Sequence, residues 1–236
     1  EEYGFYIIAL DVFATLFLVI DLGLPTLLAR DGPNAPHRIW PSIVRIYKLQ
    51  FKIALPFLLL ACFITPLLSS NWTVHLPVML ICALIALTHI ASYAPRSGLR
   101  AAGEARLEAW TKVLERAITT GAYLSLYALG ITSVVGYASA FLFGAVSGFI
   151  LALWWVKRTV RVYEGDNGIQ GDLGKDWLDN RTLMLQALPF AITLGVLPYV
   201  VRIEKFIISA EMGVDSAALF HVAQLAWLAG LVVPQA

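Results

Sequence analysis

Val74-His75-Leu76-Pro77-Val78-Met79-Leu80-Ile81-Cys82-Ala83-Leu84-Ile85-Ala86-Leu87-Thr88-His89-Ile90-Ala91-Ser92-Tyr93-Ala94-Pro95 contains no Asp, Glu, Lys or Arg. A helix needs about 20 predominantly apolar residues to cross the hydrocarbon core of a bilayer. Runs of the same kind recur at 5–29, 43–68, 108–130, 134–156, 183–208 and 216–236. Together they predict seven membrane spans. None alternates apolar with polar residues, as the strands of a membrane β-barrel would. The expected fold class is therefore all-α, a polytopic transmembrane helix bundle.

Composition points the same way. Hydrophobic residues make up 59% of the 236 and charged residues 14%, against roughly 25% charged in a soluble domain. That is too little charge to coat a soluble globule of this size. It excludes a cytosolic enzyme, a disulfide scaffold, a disordered tail and a nucleic-acid binder. Cys62 and Cys82 both fall inside apolar runs and read as packing or lipid-facing residues.

The 17 basic residues sort by connection. Arg30, Arg38, Arg45, Lys48 and Lys52 surround the first, and Arg96, Arg100, Arg106, Lys112 and Arg116 the third. Lys157, Arg158, Arg161, Lys175 and Arg181 occupy the fifth, while the second (69–73) and fourth (131–133) have none. Positive charge is retained on the cytoplasmic side. Residue 1 is thus expected outside and residue 236 in the cytoplasm of a plasma (inner) membrane. The start without Met directly before a span, and the stop at the end of another, predict a fragment lacking its first helix. The Gly- and acid-rich connection 157–182 predicts a solvated linker between an N-terminal bundle (1–156) and a second one beginning at 183.

Metal spacing, a Walker lysine after a Gly-rich loop and a nucleophile elbow are all missing from the sequence. The last run has no lysine for a retinal Schiff base. Asn71-Trp72-Thr73 matches a glycosylation sequon close to the bilayer, and Trp72, Trp110, Trp154, Trp155 and Trp177 fall near expected interfaces. Gly144, Ala145, Ser147 and Gly148 form a small-residue face that predicts close helix packing.

Charges inside spans carry the functional signal, because each costs at least ~2.5 kcal/mol at mid-bilayer. Arg202 and Lys205 break the charge alternation at the external end of a span, and either snorkel outward or line a central cavity. Asp11 lies well inside the first span, as a proton or cation site or as a hydrogen-bonding partner of a neighbouring helix. Asp21, nearer the cytoplasm, is expected to pair with Arg30 or another basic loop residue. Glu108, Lys112, Glu115 and Arg116 read as a solvated helix start, with Glu108 and Lys112 an i,i+4 pair. Pro189 and Pro198 predict kinks in the sixth span.

Four segments in order resemble the polysaccharide and lipid-linked oligosaccharide flippases of the MATE-like exporter superfamily. They are Tyr3-Gly4-Phe5-Tyr6 leading to Asp21-Leu22-Gly23-Leu24 and Arg30; Ala101-Ala102-Gly103-Glu104-Ala105-Arg106; Ala187-Leu188-Pro189-Phe190 with Arg202-Ile203-Glu204-Lys205-Phe206-Ile207-Ile208-Ser209; and Gly213 to Ala226. Glu204 and Phe220 stand where the family commonly has Asp and Tyr. The resemblance implies helices two to eight of a twelve- to fourteen-helix, two-lobe transporter from a prokaryote, and no enzymatic step. It implies alternating access that flips a polyprenyl-diphosphate-linked oligosaccharide from the cytoplasmic to the external leaflet. Under it, Arg202 and Lys205 bind the diphosphate, with Arg116 and Arg30 at the cytoplasmic mouth. Asp11, Asp21 and Glu204 are its candidates for holding a coupling Na+ or H+, and Pro189 and Pro198 its hinges. Membrane lipids and other polysaccharide-assembly proteins are the expected partners, with no cofactor. A cation-coupled multidrug exporter, a membrane-embedded glycan polymerase or glycosyltransferase, and a membrane scaffold stand as alternatives.

Overall fold

The structure, a computed structural model, describes the backbone of residues 2–68, 72–167 and 179–232; within these, side chains 16–19, 57–68, 72–74, 162–167, 194–201 and 228–232 are not described. The described part of each predicted span is helical, the first as two helices, and the described residues contain no strand. The elements are α1 (Glu2–Asp21), α2 (Leu24–Asp31), two 3-10 turns (Gly32–Asn34 and Pro36–Arg38), α3 (Ile39–Leu68), α4 (Trp72–Ala101), α5 (Ala105–Ala128), α6 (Val134–Asn167), α7 (Asn180–Met212) and α8 (Val214–Val232).

The expected single span 5–29 is two helices. Leu22 and Gly23 take the left-handed conformation, at φ 52° and 66°, which stops α1. For a residue with a Cβ this costs roughly 1–2 kcal/mol, so the break at Leu22 is held by its surroundings. Pro25 lacks an amide donor and fits the first turn of α2. Gly23 also sits where α7 passes: a Cβ there would lie 2.7 Å from Ala191 N and 2.8 Å from Ala187 O.

Tight turns make α4, α5 and α6 antiparallel neighbours. Glu104 N donates to Leu99 O and Gly103 N to Arg100 O; Ile131 N donates to Leu126 O and Gly130 N to Tyr127 O. Both sets are Schellman caps, which need a left-handed residue that glycine supplies. α4 packs most extensively on α6, and α5 on α6 next. The small-residue face of α6 makes the second contact. A Cβ on Gly148 would lie 2.7 Å from Glu115 Oε2, and one on Gly144 would overlap the Thr119 hydroxyl.

The main core joins α2, α3, α4 and α6 to the start of α7, through Leu24, Leu27, Ile43, Leu99, Val156 and Ala187. Cys82 is a buried free thiol among Ala9, Phe13 and Val78. α6 continues helical through 157–167, the first part of the expected linker. Residues 168–178 with Lys175 and Trp177, the side chains of Cys62 and Trp72, and Asn71 lie outside the described residues.

Among the described residues, two helices are long and apolar enough to cross a membrane, His75–Ala101 and Val134–Arg161. Only 39% and 28% of their most apolar windows are buried, whereas the core helix of a soluble protein is mostly buried. The large apolar side chains outside the core include Phe51 (68% exposed), Phe143 (62%) and Trp154 (54%). Asp21, Arg96, Glu108, Glu115 and Lys205 are buried. Charge inside and large apolar groups outside is the reverse of the usual soluble arrangement.

Candidate functional site: a buried charge cluster beside a polar cavity

Asp11 stands alone as a charge in the middle of α1, and Arg202 and Lys205, with Glu204 between them, lie in the last third of α7. Asp11, Arg202 and Lys205 meet. Lys205 Nζ lies 2.6 Å from Asp11 Oδ2, and Arg202 Nε 3.5 Å from Asp11 Oδ1. Their side chains are 6%, 23% and 13% exposed for Lys205, Arg202 and Asp11. The Lys205–Asp11 contact is close but misses hydrogen-bond angles, so Oδ2 has no hydrogen-bond donor. Arg202 Nη1 donates to Ala14 O at 3.1 Å, tying α7 to α1. Lys205 Nζ donates to His221 Nδ1 on α8 at 3.4 Å, which places the His221 proton on Nε2.

His221 has a second neighbour, a cavity of about 720 Å³ between α1, α5, α6 and α8. Its wall is rich in hydroxyls: Tyr3 and Tyr6 from α1, Thr119, Thr120 and Tyr123 from α5, Thr132 from the turn, and Tyr137 from α6. Arg116 joins them and stands 5.7 Å over the Phe141 ring. No carboxylate lines this cavity among the described residues.

The remaining candidates lie elsewhere. Asp21 is buried and takes a 3.4 Å hydrogen bond from Gln50 Nε2. Contrary to expectation, no ion pair joins it to Arg30 or to another basic residue among the described residues. Arg30 binds the adjacent Asp31 instead, at 2.5 Å, and stacks 5.4 Å over Phe190. Glu204 is exposed, off the cluster. α7 runs unbroken through Pro189 and Pro198, so neither ends it, and Thr193 Oγ1 donates to Pro189 O.

The 108–116 segment needs correction. Glu108 and Glu115 are buried rather than solvated. The antiparallel α4–α5 turn brings Arg96 onto Glu115 and Arg100 onto Glu108, the latter at 2.9 Å and 2.5 Å. Lys112 adds the expected i,i+4 contact to Glu108 at 3.1 Å. Sequence reading counted Arg96 and Arg100 only as loop charge. The available signal was the i,i+4 spacing of the two arginines across a Gly103 turn from two glutamates seven apart.

Among the described residues the geometry is all-helical, with buried charges between the helices and a separate cavity whose wall carries hydroxyls. No protein-family model matches this chain, and no curated protein or solved structure does either.

Proposed function

We propose that the chain is the greater part of one lobe, and the start of a second, of a multi-pass membrane transporter. Its substrate is a polyprenyl-diphosphate-linked oligosaccharide, moved to the external leaflet by alternating access about the 157–182 segment. The observation that carries the reading is the Arg202–Asp11–Lys205 cluster beside the hydroxyl-lined cavity. Asp11 lies about 14 Å along α1 at 1.5 Å per residue, near the middle of a ~30 Å hydrocarbon slab. Charges are kept at that depth for ion or substrate passage. A diphosphate is prohibitive to move through hydrocarbon without counter-charge, and Arg and Lys supply it. Tyrosine rings and threonine hydroxyls suit a sugar, whose faces are apolar and whose rim is hydroxyl. The absence of Lys and Arg from 69–73 and 131–133 supports a topology with residue 1 external.

A flippase-deficient bacterial strain tests this. Wild type restores surface glycan and lowers the intracellular lipid-linked precursor. Arg202→Gln with Lys205→Met, at matched expression and helicity, is expected to cut surface glycan by roughly tenfold or more, about 1.4 kcal/mol. Full export by that variant overturns the cavity role.

One feature favours a second reading. The four tyrosines and Phe141 would also stack an organic cation, as a multidrug exporter requires. Tolerance to cationic dyes without glycan rescue would establish it. That the described residues of the cavity wall include no carboxylate speaks against it.

A further inference from the structure

Two cations face one carboxylate in the α1–α7–α8 cluster, which leaves a positive charge in excess beside the cavity. Lys205 and Arg202 have no other acidic partner among the described residues. The carboxylate they share is held by charge, with no hydrogen-bond donor on Oδ2. Lys205 touches Asp11 off hydrogen-bond geometry, and Arg202 is 3.5 Å away with its donated hydrogen bond on Ala14 O. A buried pair repays its desolvation only when geometry is excellent and the remaining donors and acceptors are satisfied, and an arriving anion would supply the two cations with the oxygens that Asp11 leaves unmatched. Arg202 meets Asp11 through Nε at 3.5 Å and gives Nη1 to Ala14 O, so no carboxylate takes its fork in bidentate fashion, the geometry that matches phosphate oxygens. His221 stands between the cluster and the cavity and touches both; Ile7 and Leu10, on the turn of α1 before Asp11, line the cavity as well.

We propose that Arg202 and Lys205 form a binding site for a phosphate or diphosphate group, and that Asp11 is its built-in counter-ion, displaced when the anion arrives through the cavity past His221. Asp11 then occupies the site when it is empty and competes with the substrate for it. The inference deepens the transport reading and rests on it for the route of access. It differs in sign from either role that the sequence offered for Asp11. A structural partner or a coupling-cation ligand, once removed, weakens anion binding or leaves it unchanged. Removing a competitor strengthens it.

The test measures binding of inorganic pyrophosphate to the protein in nanodiscs by calorimetry. Asp11→Asn is expected to tighten binding by roughly fivefold or more, the lower end of ordinary coupling between sites, and Lys205→Met to abolish it. Unchanged or weaker binding by folded Asp11→Asn overturns the proposal. Should Asp11→Asn not fold, Asp11→Asn with Lys205→Met keeps the net charge of the wild-type cluster, and the double variant must lose pyrophosphate. Retained wild-type affinity there overturns the proposal as well. Farnesyl diphosphate binding more tightly than pyrophosphate assigns the anion to a lipid, and equal affinity assigns it to a free anion; both support the site. Tightening in Asp11→Asn with no glycan export by the wild type keeps the anion site and rejects the lipid-glycan reading. Export without tightening does the opposite.

Discussion

Glu115→Leu strands the Arg96 guanidinium inside the α4–α5–α6 contact, and the expected loss of stability is about 3–5 kcal/mol. Arg96 and Glu115 are both buried and bonded to each other. The carboxylate lies over Gly148, in the close contact of α5 with α6. The cost is that of an unpaired buried charge, and it disappears when both partners are replaced together. Arg96→Met with Glu115→Leu is therefore expected to recover most of the loss, since an apolar pair of similar volume is often neutral or better. Denaturant titration in mixed micelles reads both variants. If the double variant is as unstable as the single one, Glu115 acts through packing on Gly148 rather than through charge.

Gly23→Ala is the second large effect. Two separable costs fall on this position. The left-handed backbone at φ 66° penalises any Cβ by roughly 1–2 kcal/mol. The methyl would also press on the α7 backbone at Ala187 and Ala191 and on Phe190 Cβ, and overpacking of this kind costs about 1–3 kcal/mol. Gly103 provides the matched control. It has φ 79° and nothing within 4 Å of its would-be Cβ, so Gly103→Ala pays only the first cost. Gly23→Ala is expected to lose about 2–5 kcal/mol, and Gly103→Ala about 1–2 kcal/mol. Equal losses at the two sites would mean that α7 yields freely at the α1–α2 break.

Length and apolarity were enough to show where the chain is helical, because each run is long and bounded by charge or glycine. The two-residue break at Leu22–Gly23 was not legible. Leucine gives no sign of a left-handed conformation, which here coincides with the packing of Gly23 on α7. Inward charges were partly legible. Asp11, Arg202 and Lys205 were each conspicuous as charges within an apolar run, but nothing local says that α1 and α7 place them together. Glu108 and Glu115 were misread for the opposite reason. Charges near a helix start read as solvated, and only the antiparallel fold of α5 on α4 and α6 takes them out of water. The cavity depends on three stretches far apart in the chain, so its tyrosines carried no signal singly.

The excess positive charge at Asp11, Arg202 and Lys205 makes the cluster an electrical element. In the transport reading the empty site carries one net positive charge, and a bound dianionic diphosphate turns it to one net negative. Each elementary charge moved through the membrane field is worth about 2.3 kcal/mol per 100 mV. A cytoplasm-negative potential then pushes the loaded site outward and draws the empty one back. The resting voltage alone would bias both halves of the cycle toward export.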